Sequence, residues 1–152
     1  MSEGEAMTTQ HETSWDAEFD FVVAGSGGGG MTAALAAVDG GASVLVLEKQ
    51  ALVGGSTCMS GGVVWIPNNP LMQRGGIADS YDEGMTHFET VVGDVGQASS
   101  KERRDAFLNA GPEMIEFLER CGVRFVRCDG YSDYYSNLPG GKDIGRAIEP
   151  VP

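Results

Sequence analysis

The chain has 152 residues, of which 41% are hydrophobic and 21% are charged, the size and composition of about one soluble globular domain. Its 22 acidic residues against 10 basic residues give a net charge of −12, which argues against nucleic acid and anionic lipid as partners because both would be repelled. Since no apolar run approaches the roughly 18 residues that a membrane span needs, the sequence predicts no transmembrane segment.

Residues 1–18 carry acidic groups where a signal peptide needs positive charge, and no apolar stretch follows them. We therefore predict a disordered acidic leader over residues 1–18 and a cytoplasmic location. The cysteines Cys58, Cys121 and Cys128 show no CxxC spacing, and His11 lies far from His87. These spacings predict neither a metal site nor a disulfide framework.

The first ordered elements have the pattern of a β-α-β unit. Residues 19–24 form a short apolar run that ends at a glycine-rich turn over residues 25–30, which predicts a strand followed by a tight turn. Residues 31–38 are small or helix-forming and precede two glycines, and residues 42–47 read as a second strand. This order within about 30 residues predicts an α/β, Rossmann-like unit with a parallel sheet.

The elements after this unit are less regular. Residues 50–76 are rich in glycine, serine and asparagine and predict loop with short strand. The sequence Ser80-x-x-Glu83 resembles a capping box and predicts a helix up to residue 93. A second box, Ser99-x-x-Glu102, predicts a further helical segment that Pro112 kinks or restarts. Residues 123–126 read as a strand, and residues 128–152 as irregular.

The glycine turn carries the strongest chemical signal. It has the form GxGxxG at Gly25, Gly27 and Gly30, follows a strand and opens a helix, and an acidic residue, Glu48, follows 18 residues after Gly30. Gly25 permits the tight turn, Gly27 lets the backbone approach a pyrophosphate, and Gly30 allows close helix–strand contact. The helix N-terminus attracts phosphates, and Glu48 is placed to accept hydrogen bonds from ribose hydroxyls. The pattern predicts a cofactor that contains ADP.

The segment that follows favours FAD over NAD. An NAD-binding domain normally continues with another crossover helix, whereas residues 54–62 offer glycines, hydroxyls and backbone N–H groups. Such a strip can lie along the pyrophosphate, ribityl chain and ring of a flavin, although a flexible linker has a similar composition.

The sequences DFVVAGSGGGGMTAALAAVDGGASVLVLEK and VGGSTCMSGGVVWIPNN resemble the FAD-dependent fumarate reductase/succinate dehydrogenase flavoprotein superfamily. Within it, SGG-x-x-WIPNN and GYSDYYSNLPGGKDIGRAIEP are most similar to 3-ketosteroid dehydrogenases. The resemblance runs from about Phe19 to Pro150. It implies that residues 19–152 are the amino-terminal part of an FAD-binding domain, incomplete and with a helical segment, from which the substrate domain is absent.

The resemblance also implies roles for individual residues. The positions expected to contact FAD are Gly25, Ser26, Gly27, Gly28, Gly30, Glu48, Lys49, Gly55, Ser56, Thr57, Ser60, Gly61 and Gly62. Such enzymes remove a proton next to the carbonyl of a 3-keto steroid while hydride passes to the flavin, with tyrosines assisting, and an external acceptor then takes the electrons. Tyr134 matches such a tyrosine best, with Tyr135 and Tyr131 as alternatives.

Two alternative functions remain at this point. A fumarate reductase-like flavoprotein would take a dicarboxylate, which requires arginines and histidines at the substrate. A truncated nucleotide-binding fragment would have no activity, and we expect the 152 residues alone to be inactive even if the parent protein is a dehydrogenase. If neither alternative function holds, the predicted substrate is a small apolar ketone or steroid.

Overall fold

The computed structural model describes residues 14–151, which divide into two compact units, one extending to Gly55 and the other beginning at Ser56. Most of the predicted leader, residues 1–13, lies outside the described residues, as does Pro152. Residues 14–18 contain neither helix nor strand. Within residues 14–151, no helix is both long and apolar enough to cross a membrane.

The first unit is the predicted β-α-β motif. Strand β1 is Phe21–Ala24, helix α1 is Gly28–Asp39, and strand β2 is Val44–Leu47. The two strands pair in parallel, with Phe21 opposite Val44 and Ala24 opposite Leu47. Helix α1 begins three residues before the predicted start at residue 31, because the glycines at its first turn adopt helical geometry once Gly27 takes the extended N-cap conformation.

The second unit combines helices with a small antiparallel sheet. Its elements are β3 (Val64–Trp65), α2 (Pro70–Arg74), α3 (Tyr81–Val91), α4 (Lys101–Arg120), β4 (Arg124–Arg127) and β5 (Ala147–Val151). Strand β5 lies between β3 and β4 and is antiparallel to both. Short 3-10 helices occupy Gly55–Met59 and Gln97–Ser99.

A serine caps each helix as predicted in type, but neither full capping box forms: the backbone N–H of Ser80 donates to Asp79 Oδ1 rather than to Glu83, and α4 is capped one residue later than predicted. Ser80 Oγ accepts a hydrogen bond from the backbone N–H of Glu83 at 3.1 Å. In α4 the cap is Ser100, which accepts from the N–H of Arg103, because Ser99 is buried and its Oγ accepts from Val95 N instead. The helix continues through Pro112 without a restart.

Two elements depart from the predictions for irregular segments. Helix α2 lies inside residues 50–76, where we predicted only loop and short strand; Asn69 caps it through Met72 N at 3.0 Å, and Pro70 occupies the first turn. Strand β5 lies inside the tail predicted to be irregular. Its Pro150 is tolerated because β3 pairs only with Ala147 and Ile148, which leaves one side of the strand unpaired at that point.

The core of the second unit joins its sheet to α4. Ile66, Ile115 and Ile148 are at most 1% exposed and come from the position directly after β3, from α4 and from β5. Burying each of these side chains contributes roughly 1.5–3 kcal/mol. The contact is close, since a side chain added at Gly111 would meet Ile66 at 3.1 Å. This core fixes the sheet on which the unit's cavity is built.

Candidate functional site

Two glycines of the turn after β1 serve the packing of the first unit. Gly25 has φ +95°, a conformation that side chains disfavour, and its N–H donates to Leu47 O at 2.7 Å. A Cβ added at Gly30 would lie 2.1 Å from Gly25 O and 3.3 Å from a side-chain carbon of Val23. Only glycine at position 30 therefore allows α1 to start this close to β1.

Gly27 differs from these two because the protein itself does not require glycine there. Its φ of −69° and ψ of 175° are extended backbone that any residue adopts. A Cβ at this position would meet no protein atom within 4 Å. The open space at Gly27 is where a side chain would obstruct a group lying against the backbone, so the turn fits a pyrophosphate.

The N-terminus of α1 is also suited to a phosphate. Helices α2, α3 and α4 are capped by the side chains of Asn69, Ser80 and Ser100. Among the residues described, α1 has no side-chain cap hydrogen bond and no acidic residue in its first turn. The positive end of the helix dipole at such a start attracts an anionic ligand.

Glu48 is fixed to the turn by Ser26. Glu48 Oε2 accepts from the backbone N–H of Ser26 at 3.0 Å and from its Oγ at 2.6 Å, while Oε1 accepts from Gln50 N at 2.9 Å. The hydrogen bonds from Ser26 and Gln50 lower the pKa of Glu48 to about 2. The carboxylate is therefore ionised at neutral pH, and it could accept ribose hydroxyls only alongside these contacts.

The sequence did not predict that Ser26, which is 2% exposed, has this structural role. Its Oγ also accepts from Gly54 N at 2.8 Å, so one hydroxyl joins the turn, the end of β2 and the start of the next loop. A serine inside the glycine turn and an acid at the end of the following strand were the available signals. Lys49, beside Glu48, is exposed.

The hydroxyl-rich strip predicted to lie along the flavin is exposed and partly held by its own hydrogen bonds. Gly55, Ser56 and Thr57 belong to the 3-10 helix Gly55–Met59. Ser60 Oγ donates to Thr57 O at 2.8 Å and accepts from Gly62 N at 3.1 Å. A side chain at Gly61 would meet no atom within 4 Å. These hydrogen bonds give the strip a defined local shape.

The second unit contains a largely apolar cavity of about 500 Å³. Its walls include Trp65 of β3 and Phe88 of α3, whose rings meet edge to face with centroids 5.2 Å apart. The remaining lining residues are Val63, His87, Val91, Val92, Ala147 and residues 131–135. The volume lies in the range of roughly 300–1,000 Å³ that is usual for small-molecule sites.

All three tyrosines considered for catalysis line this cavity. Tyr131 and Tyr135 are 59% and 53% exposed, and Tyr134 is fully exposed. The structure thus brings Tyr134 and its two alternatives to one opening.

Asp133, which lines the cavity with the tyrosines, belongs to a buried charge network that the sequence did not predict. Arg146 donates to both carboxylate oxygens of Asp79, at 2.7 and 2.8 Å, and to Asp133 Oδ2 at 2.8 Å. Arg146 and Asp79 have fully buried side chains. Burial alone would raise the pKa of Asp79, but hydrogen bonds from Arg146 and from the backbone N–H of Asn68 outweigh burial and lower that pKa. Trp65 Nε1 donates to Asp133 Oδ1 at 2.6 Å.

The chain is similar to known FAD-binding proteins. The family model described as "FAD binding domain" matches residues 20–147. The chain is 47% identical over 136 residues to 3-oxosteroid 1-dehydrogenase of Mycolicibacterium smegmatis, covering 89% of this chain and 23% of that protein. It is 41% identical to 4-oxocyclohexanecarboxylate 2-dehydrogenase of Sinomonas cyclohexanicum, covering 87% and 23%.

A solved structure gives the same result. The crystal structure of 3-ketosteroid delta1-dehydrogenase from Sterolibacterium denitrificans, in complex with 1,4-androstadiene-3,17-dione, matches with a TM-score of 0.73 and 40% identity. The match covers 88% of this chain and 23% of that one. The chain thus spans less than a quarter of the length of each of these three proteins.

These matches confirm the predicted resemblance to ketosteroid dehydrogenases, the incomplete α/β fold and FAD as the cofactor. The chain belongs to the FAD binding domain family.

Proposed function

We propose that this chain supplies the dinucleotide-binding turn and a substrate-cavity wall of a flavin-dependent dehydrogenase that oxidises a CH–CH bond next to the carbonyl of a 3-keto steroid. The observation that carries the proposal is the 47% identity, over 89% of the chain, to a 3-oxosteroid 1-dehydrogenase. Because the chain covers 23% of that relative, the activity is assigned to the parent protein, and the 152 residues alone are expected to be inactive.

The first unit would bind the ADP part of FAD. Open space at Gly27 would admit the pyrophosphate, and the start of α1, which has no side-chain cap among the described residues, would stabilise its charge. The ionised Glu48 would accept the ribose hydroxyls and disfavour a 2′-phosphate. Ser26 and Lys49 flank these groups in the chain, and Gly28 and Gly30 form the helix start. Gly55, Ser56, Thr57, Ser60, Gly61 and Gly62 are proposed, from the family resemblance alone, as further FAD contacts. When bound, FAD supplies the flavin that accepts the hydride.

The second unit would hold the ketone. Its cavity of about 500 Å³ is walled by aromatic and aliphatic side chains and opens beside three tyrosines, which suits an apolar ring system. We assign to the Tyr134 hydroxyl the handling of the proton on the carbon next to the carbonyl. A tyrosine has an ordinary pKa near 10, so this task requires a hydrogen-bonding partner that favours its phenolate character.

The substrate is proposed to be a cyclic ketone rather than a dicarboxylate. Recognition of two carboxylates calls for cationic side chains at the substrate, and within residues 14–151 no arginine or lysine lines the cavity beside the tyrosines. One relative is named for 4-oxocyclohexanecarboxylate, which is a cyclic ketone with a single ring. A single-ring ketone is therefore the second candidate substrate. This reading makes fumarate the least favoured substrate.

Activity of the complete gene product tests the proposal. The protein would be purified, its flavin content measured, and dye reduction followed with a 3-keto steroid and with 4-oxocyclohexanecarboxylate, alongside fumarate reduction with a reduced dye. We expect dye reduction with the steroid and none of the fumarate activity. Fumarate reduction without ketone oxidation, or a flavoprotein inactive with both ketones, would contradict it.

Substitution of each tyrosine tests the assignment within the cavity. Tyr134→Phe should lower kcat by about 100-fold or more, the scale of a lost proton-transfer group, whereas Tyr131→Phe and Tyr135→Phe keep the ring and should change kcat by less than about threefold. A large loss at Tyr135 or Tyr131 with an active Tyr134→Phe enzyme would move the assignment to that residue.

A further inference from the structure

We propose that Asp133 is a positioning residue that holds Tyr134 at the opening of the cavity. This inference rests on the proposed function, because it assigns a task within the same site. It concerns the segment between β4 and β5, residues 128–146, which we call the cavity loop.

The cavity loop contains neither helix nor strand, so its shape depends on individual hydrogen bonds. Asp133 provides two of them across the loop. Its backbone N–H donates to Lys142 O at 2.9 Å, and its Oδ2 accepts from Lys142 N at 2.9 Å. Main chain and side chain of one residue thus close the loop at the same point.

The same carboxylate attaches the loop to the body of the second unit. Oδ1 accepts from Trp65 Nε1 at 2.6 Å, and Oδ2 accepts from Arg146 Nη1 at 2.8 Å. Arg146 is itself held by two hydrogen bonds to Asp79. Asp133 is 5% exposed, and His87 Nε2 lies 3.8 Å from its Oδ2. A residue of β3 and the residue preceding β5 therefore both donate hydrogen bonds to this carboxylate.

Tyr134 has no comparable support of its own. Its side chain is fully exposed, and within the described part of the chain it makes no hydrogen bond or ring contact. Its side-chain torsions are therefore unrestrained by contacts, and the part of Tyr134 with a defined position is its backbone, which the hydrogen bonds of the preceding residue fix. Since a displacement of about 1 Å can reduce the rate of a positioned reaction by about 100-fold, loosening Asp133 should be felt in turnover.

A second anchor of the same loop offers a matched control. Lys142 Nζ contacts Glu83 Oε1 at 2.6 Å, on a partly exposed surface. Glu83→Gln weakens this ion pair while leaving the Lys142 backbone on Asp133. If general loosening of the loop were responsible for a loss of activity, both anchors should matter.

The experiment uses the complete gene product with FAD and a 3-keto steroid. Both carboxylate oxygens of Asp133 accept hydrogen bonds, from Trp65, Lys142 and Arg146. In Asp133→Asn the amide nitrogen, which is a donor, would replace one of these oxygens and face at least one of these donors. We expect kcat to fall by about 10- to 100-fold with KM changed by less than about threefold. In a Tyr134→Phe background, Asp133→Asn should lower kcat by no more than about threefold, because the two residues act as a unit.

Glu83→Gln should leave kcat within about twofold of the parent value, as a partly exposed pair contributes little. Unchanged kcat in Asp133→Asn, equal losses in Glu83→Gln, or fully additive losses with Tyr134→Phe would overturn the proposal. If Asp133→Asn loses flavin or structure, Arg146→Lys is the variant to measure instead. Lysine keeps the positive charge beside Asp79, but its side chain is too short to keep the hydrogen bond to Asp133. A normal kcat in that variant would also overturn the proposal. An inactive wild-type protein would instead refute the proposed function.

Discussion

The two units of this chain bury their apolar groups to very different extents. In the β-α-β unit, Phe21, Val22 and Leu47 remain 52–55% exposed, although the strands of parallel sheets are normally covered on both faces. In the second unit, Ile66, Ile115 and Ile148 are at most 1% exposed. The comparison teaches that the second unit is held by a core of its own, whereas two strands and one helix bury little of the apolar surface of the first.

The largest expected effect tests the buried network of the second unit. Arg146→Met removes the cation that pairs with two buried carboxylates, and leaving them uncompensated should lower the free energy of unfolding by about 3–5 kcal/mol. Urea unfolding followed by circular dichroism measures it. Arg74→Met breaks the exposed pair with Glu119 and should cost less than about 1 kcal/mol. Equal costs would show that burial does not distinguish the two pairs.

A smaller effect tests the packing of the first unit. Gly30→Ala places a Cβ 2.1 Å from Gly25 O, so the turn must shift, at a cost of about 1–3 kcal/mol. Gly29→Ala is the matched control because its Cβ meets no atom within 4 Å, and alanine in a helix is favoured by about 0.5–1 kcal/mol. Hydrogen exchange of β1 and α1 should rise only in Gly30→Ala; a tolerated Gly30→Ala would contradict the close approach.

Capping of α3 should contribute still less. Ser80→Ala removes the hydrogen bond to the N–H of Glu83 and should lower the free energy of unfolding by about 1 kcal/mol. Thr90→Ala, in the exposed last turn of the same helix, should change it by less than about 0.5 kcal/mol. Thermal unfolding compares the two variants, and a larger loss at Thr90 would argue against the cap.

The smallest expected effect is on the stability of the folded chain at acid pH. Because the pKa of Glu48 in the folded chain is about 2, below its ordinary value of about 4.3, its stabilising contribution is present above that ordinary value and disappears as pH falls towards 2. The difference in unfolding midpoint between wild type and Glu48→Gln should therefore be largest near pH 6, become small near pH 2 and vanish below it. A difference independent of pH would mean that the ionised carboxylate is not what holds Ser26.

Local patterns explain what the sequence could predict. The β-α-β unit, its parallel pairing and the α3 cap depend on residues close in sequence, and the glycine turn predicted the cofactor. Helix α2 could have been found from Asn69-Pro70, a cap followed by proline at the first turn.

Features that depend on long-range contacts could not be predicted from the sequence. Strand β5 is defined by pairing with two strands distant in the chain, and Pro150 obscures its pattern. Asp79 and Arg146 are 67 residues apart in sequence, and nothing in either local segment indicates that they meet. The Ser26–Glu48 contact spans 22 residues and emerges only when β1 and β2 are paired.

The most direct test of the central claim is flavin retention by the complete gene product after desalting, measured by visible absorption for wild type, Gly27→Ala and Gly29→Ala. We expect the wild type and Gly29→Ala to keep the flavin band, and Gly27→Ala to lose it while its circular dichroism stays native, because only the cofactor requires glycine at position 27. A Gly27→Ala protein that retains FAD as well as the wild type, or a folded wild type that binds none, would contradict the account.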